Sequence, residues 1–99
     1  MNERTQSLAE YTIMMFRDGH NTIVIGSNSV GSDGNLAYLY GPEGNILQFS
    51  GVGILTAEGE QTQRVGLSPD IYVEPTVSGI KEGKDELIEA AVQYIISNK

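Results

Sequence analysis

Ser7 stands three residues before Glu10 at the head of an apolar run, and that spacing admits two kinds of chemistry. The first is structural: the pair fits a capping box, in which the serine hydroxyl satisfies a free helix N–H and the glutamate reaches back to the cap N–H. The second is catalytic. A helix N-terminus offers unpaired N–H groups and partial positive charge, which would stabilise an alkoxide or the oxyanion of an acyl-transfer intermediate beside a nucleophilic serine. Spacing alone leaves both open.

Other reactive side chains carry weaker signals. His20 follows Arg17-Asp18-Gly19 and reads as a solvated loop histidine rather than a base or ligand. Lys81, Lys84 and Lys99 lack the apolar setting that would depress a lysine pKa. The glycines of residues 26–34 lack the Gly-Lys-Ser/Thr ending of a phosphate-binding loop. Asp33 and Asp70 could line a site, although Asp70 directly after Pro69 reads as fixing a turn. The acidic residues have no calcium-loop spacing and cysteine is absent, so neither a metal nor a cofactor is expected, and no disulfide can form.

The elements that must position these residues follow from periodicity. Leu8, Ala9, Ile13, Met14, Met15 and Phe16 recur at helical spacing and predict a helix from Ser7 to Arg17-Asp18-Gly19. Thr22-Ile23-Val24-Ile25 predicts a short buried parallel strand. Residues 26–35 carry enough turn chemistry to predict a surface loop. Leu36–Tyr40 and Asn45–Phe49 bracket Gly41-Pro42-Glu43-Gly44 as a hairpin. Gly51–Thr56 reads as another strand, turning at Glu58-Gly59-Glu60, and Asp70–Glu74 as a last one closed by Pro75. Thr76–Gly83 crosses over to a C-terminal helix whose apolar face is Leu87, Ile88, Ala91, Val92, Ile95 and Ile96. The class is α/β, with a helix at each end and a hairpin-rich mixed sheet between them.

Composition sets the outer limits. With 99 residues the chain is at most one small domain with a single core. Six basic against thirteen acidic residues give a net charge of −7, which argues against nucleic-acid binding, since that needs a basic stripe. No run is long and apolar enough to span a membrane, and no charged-then-apolar leader opens the chain.

The stretch Asn2–Glu10, with the wording Asn-Glu-x-x-Gln-Ser-x-Ala-Glu-Tyr, resembles the nucleophile segment of the tail-specific, or C-terminal processing, serine peptidases. That family includes the tricorn core protease and the repeats of the interphotoreceptor retinoid-binding protein. Further matches keep the family's order: Ile23-Val24-Ile25-Gly26, Ser29–Asn35, Phe49-Ser50-Gly51-Val52-Gly53 and Gly66-Leu67-Ser68-Pro69-Asp70. The wording is similar to exported members from gut and soil Bacteroidetes, which implies an extracytoplasmic location. The resemblance also implies the second half of a ClpP/crotonase-like core. Residues 1–99 would then be a single partial domain, the C-terminal portion of a catalytic domain, with Met1 inside a strand that begins upstream.

In that family Ser7 takes the nucleophile position and the backbone N–H of Leu8 would be one oxyanion donor, a second coming from upstream. Ser32 stands where one branch carries a catalytic lysine, which argues against a lysine-based dyad. Gln63 stands about where the tricorn branch carries a glutamate that supports the base; a glutamine can orient an imidazole but cannot balance its charge. The base is therefore expected upstream, as a histidine. Three readings follow: a serine endopeptidase acting on peptides or proteins, a peptide-binding module that does not cleave, and a structural domain in which Ser7 is only a cap. The isolated chain, short of an upstream layer, is expected to self-associate as a homo-oligomer.

Overall fold

Helix α1 (Leu8–Asp18) forms where the periodicity placed it. The architecture is that of a computed structural model that describes residues 1–19 and 21–99; His20, read above as a loop histidine, lies outside them. Along the chain follow β1 (Ile25–Gly26), β2 (Leu36–Tyr40), β3 (Ile46–Ser50), β4 (Ile71–Tyr72), α2 (Val77–Lys81) and α3 (Glu86–Ser97). The α/β class holds, with the sheet in two small pieces: β1 pairs in parallel with β4, and β2 pairs antiparallel with β3.

The buried strand expected over Thr22–Ile25 is shorter and shifted toward the glycine. Val24 N–H is taken by the Asp70 carboxylate at 2.7 Å instead of a strand partner, so ladder pairing begins only at Ile25↔Ile71. Asp70–Glu74 contracts to Ile71–Tyr72 for the same reason. On the other edge of β1, Met1 N donates to Ile25 O at 2.7 Å and Met1 O accepts from Ser27 N at 3.1 Å. Bonds to the two residues flanking Gly26 are those of a parallel partner, as expected for a strand ahead of Ser7.

Gly26 makes this approach feasible. Its φ is +133°, and a Cβ there would lie 1.7 Å from Met1 O. Gly26→Ala is therefore expected to cost at least about 2 kcal/mol of stability, through backbone strain and a displaced first strand. A denaturant midpoint unchanged from the parent sequence would show that the first residue does not need this contact.

The hairpin matches expectation, in the register Leu36↔Ser50 through Tyr40↔Ile46, with a turn at Pro42–Gly44. Gly51–Thr56 does not form the expected strand. Only Leu55 bridges to Gln61, because two glycines in six residues leave little side chain to pack and the Thr56–Glu60 turn closes at once. The crossover contains the short helix α2, capped by Thr76 Oγ1, which accepts from Gly79 N at 3.0 Å. Glu86, at the head of α3, accepts from both the hydroxyl and the N–H of Thr76, which holds its carboxyl below the usual glutamate value and ties the two helices together.

The core is thin. Met14, Val24 and Leu67 are its buried apolar side chains, while Leu8, Phe16, Tyr40, Leu47, Ile80, Ile88 and Ile95 are among many left more than half exposed. The radius of gyration is 17.2 Å, against about 13 Å for a compact chain of this length. The apolar face of α3 packs mainly toward β1, and both faces of the hairpin are largely open. Among the described residues no helix is long and apolar enough to cross a membrane.

Candidate active site

Ser7 has a backbone that serine rarely adopts. Its φ of 53° and ψ of −122° belong to the first central position of a type II′ turn, a region that favours glycine. An ordinary N-cap residue is extended and costs nothing of this kind; a non-glycine residue held here stores about 1–3 kcal/mol. The capping box is present but uneven. Glu10 Oε2 accepts from Ser7 N at 3.0 Å, while the Ser7 hydroxyl closes no cap hydrogen bond of ordinary geometry. The side chain is exposed, on a sharp bend directly before the helix. The Leu8 N–H, on the first helical residue, meets no backbone acceptor among the described residues.

What holds this bend is Glu10, which is fully buried. Besides Ser7 N, its two oxygens accept from Ser29 Oγ at 2.5 Å, Gly31 N at 2.7 Å and Ser32 N at 3.1 Å. Four donors converge on one carboxylate, which compensates its desolvation and pins α1 to the loop after β1.

That loop is not the surface segment its polarity predicted. Ser27, Ser29, Gly31 and Asp33 are buried at every second position. Ser29 and Gly31 go inward here because they find partners: Ser29 Oγ also accepts from Leu67 N at 2.7 Å, and Gly31 O accepts from Arg64 N at 2.7 Å. Ser7 N makes a second bond, to Ser32 O at 2.8 Å, so residue 32 lies directly against the candidate nucleophile through its backbone.

Gln63 acts as a clip between loops. Its Nε2 donates to Asp33 O at 2.9 Å and Val52 O at 2.7 Å, and its Oε1 accepts from Ile54 N at 3.3 Å. Both amide protons are thereby engaged by backbone. Gly34 passes beneath this clip, where a Cβ would come within 2.6 Å of Nε2. Asp70, read as a turn former, forms an ion pair with Arg17 at 3.4 Å besides holding Val24, and so docks the end of α1 on β4.

A cavity of about 250 Å³ opens beside Ser7 and is lined by it with Leu8, Tyr11, Asp33, Asn35 and Ile54 among others. Its contents join α1, the polar loop and the segment after β3. Sequence reading identified Ser7 but gave Glu10 only a capping role and left Asp33 undecided. The missed signal was the alternation of small and polar residues from Ser27 to Asp33, which is a strand-like burial pattern written in polar letters.

The profile of Peptidase family S41 matches residues 1–73, which include Ser7, Glu10, the polar loop and Gln63. Among solved structures, that of a peptidase candidate from Parabacteroides merdae is 27% identical, with a TM-score of 0.83 over 91% of this chain and 28% of its own. Mature CPAF complexed with lactacystin superposes with a TM-score of 0.81 at 18% identity, over 97% of this chain and 19% of the other. A further structure of mature CPAF gives 0.71 at 20% identity, over 81% and 16%. The CPAF likenesses bear on the fold alone. The chain thus spans less than a third of the length of the solved structures it matches. No curated protein matches it.

Proposed function

The chain belongs to peptidase family S41, a family of serine peptidases, and from that premise we propose that it is the nucleophile-bearing portion of a serine endopeptidase acting on peptides or proteins. The observation that carries this reading is the strained bend at Ser7, placed before a helix whose first N–H is unpaired among the described residues. Strain of this kind is kept where a hydroxyl must be presented, and a cap does not need it.

In the proposed reaction Ser7 Oγ attacks the scissile carbonyl carbon, and its proton passes to a base outside this chain. The carbonyl oxygen, now an oxyanion, is met by the Leu8 N–H, and collapse breaks the C–N bond as the amine takes that proton from the base, leaving an acyl-enzyme for water to hydrolyse. Glu10 is a positioning residue, since it holds the Ser7 backbone without facing the substrate. Ser32 occupies the lysine position of one branch and meets Ser7 with its carbonyl, which supports a histidine base from upstream. An extracytoplasmic location for the parent enzyme rests on resemblance alone. A fluorophosphonate probe applied to the parent enzyme should label Ser7.

A non-catalytic peptide-binding module is the second reading, favoured by Ser32 and by the engagement of Gln63 with backbone. An unlabelled but peptide-binding parent protein would establish it.

The 99-residue chain by itself is expected to hydrolyse no casein above a buffer blank, since the proposed mechanism draws its base and second oxyanion donor from other residues than these. Its open hairpin and α3 face should drive self-association into dimers or larger assemblies. Light scattering that returned a monodisperse monomer at tens of micromolar would sink the association, and measurable cleavage would sink the inactivity.

A further inference from the structure

Asp33 is 5% exposed and lines the cavity beside Ser7. Its Oδ1 accepts from Gly34 N at 2.7 Å, but Oδ2 is buried with no hydrogen-bond partner among the described residues. Buried polar atoms are almost always paired, so an orphan carboxylate oxygen points to a donor that arrives from outside the chain. Ion pairs among the described residues join Arg17 to Asp70 and Lys84 to Glu82, and neither reaches Asp33. The residue is also held in place, because Gln63 Nε2 clamps its carbonyl at 2.9 Å.

The cavity around it has a definite chemistry. Leu8, Tyr11 and Ile54 supply apolar wall, Asn35 supplies a further polar group, and the volume is about 250 Å³. Apolar walls with one carboxylate suit a long aliphatic stem that ends in a cation. A small turn about the Asp Cβ–Cγ bond, a soft torsion, would present Oδ2 to such a group. The net charge of −7 adds long-range attraction of the same sign.

We propose that this cavity is a subsite for a lysine or arginine side chain, with Asp33 as its acceptor. Its placement next to the scissile bond rests on Ser7 being the nucleophile; the binding chemistry does not. An alternative use of the same carboxylate, orienting an incoming imidazole in place of Gln63, is an outcome of the test.

The experiment uses the parent enzyme carrying Ser7→Ala, which can bind without turnover. Three fluorescein-labelled peptides differ at one position, bearing lysine, acetyl-lysine or norleucine, and binding is read by fluorescence anisotropy. The lysine peptide is expected to bind at least about tenfold more tightly than the other two. Asp33→Asn should erase that difference while leaving the norleucine peptide unchanged. Equal affinities for the three peptides, or a lysine preference that survives Asp33→Asn, would overturn the subsite. If the Asp33 variant fails to fold, equal affinities for the three peptides still overturn the subsite.

Hydrolysis of the same peptides by the enzyme with Ser7 intact separates the two readings. Binding preference without cleavage removes the nucleophile and keeps the subsite. A uniform fall in kcat for Asp33→Asn, with an altered pH profile and no lysine preference, assigns Asp33 to the base and removes the subsite.

Discussion

Ser7→Ala in the parent enzyme is expected to lower kcat by a factor on the order of 10⁴ to 10⁶ and to leave the fold in place. The size of the loss follows from the role: without Oγ no acyl-enzyme forms, and only the oxyanion site and substrate binding remain. The geometry adds a second measurement that a capping role would not satisfy. Alanine retains the Cβ and therefore the strain of φ 53°, whereas glycine relieves it. Ser7→Gly should thus be as inactive as Ser7→Ala yet more stable, by roughly 1 kcal/mol. If the hydroxyl were chiefly a cap, both replacements would destabilise, alanine by about 1 kcal/mol. Retained turnover in either variant would rule out Ser7 as the nucleophile.

The second large effect is on stability and comes from Glu10. Glu10→Ala leaves Ser29 Oγ and the N–H groups of Gly31 and Ser32 without an acceptor, the first two of them in buried positions. Each buried donor left unpaired costs about 1–3 kcal/mol, so the total is expected to be several kcal/mol. That is a large part of the net stability of any domain, which is about 5–15 kcal/mol. Glu10→Gln keeps the volume but replaces one acceptor by a donor that faces other donors, so it should still be substantially destabilising. Because Ser7 N retains its bond to Ser32 O, the bend itself is half-supported in these variants. Fluorophosphonate labelling of Ser7 should slow along with the fall in denaturation midpoint. A Glu10→Gln protein with unchanged midpoint and labelling rate would show that the buried carboxylate is not what holds the bend.

These two residues mark where sequence reading reaches and where it stops. Periodicity is a local property, so α1, the hairpin and α3 were legible from the spacing of Met14, Leu39, Ala91 and their neighbours, while the hairpin register came only with the fold. The serine–glutamate spacing was legible too, and with it the candidate nucleophile. Charge and composition set aside a nucleic-acid surface, and the ordered short motifs pointed to the peptidase family.

The tertiary structure decided what depends on partners distant in the chain. Residues 26–35 looked like solvent loop because their side chains are polar, and they are half buried because Glu10, Leu67 and Arg64 supply the matching hydrogen bonds. Thr22–Ile25 and Gly51–Thr56 looked like strands by composition, yet ladders need partners: Asp70 takes the Val24 N–H of the first, and the glycines and tight turn deny a ladder to the other. Gln63 was read as a residue that could orient an imidazole, and the fold shows its amide protons held by the backbone carbonyls of Asp33 and Val52. The backbone strain at Ser7 and the orphan oxygen of Asp33 are not encoded in any spacing. A one-dimensional pattern specifies which faces are apolar and which groups can donate or accept; only the folded chain fixes which donor meets which acceptor, and which one is left without a partner.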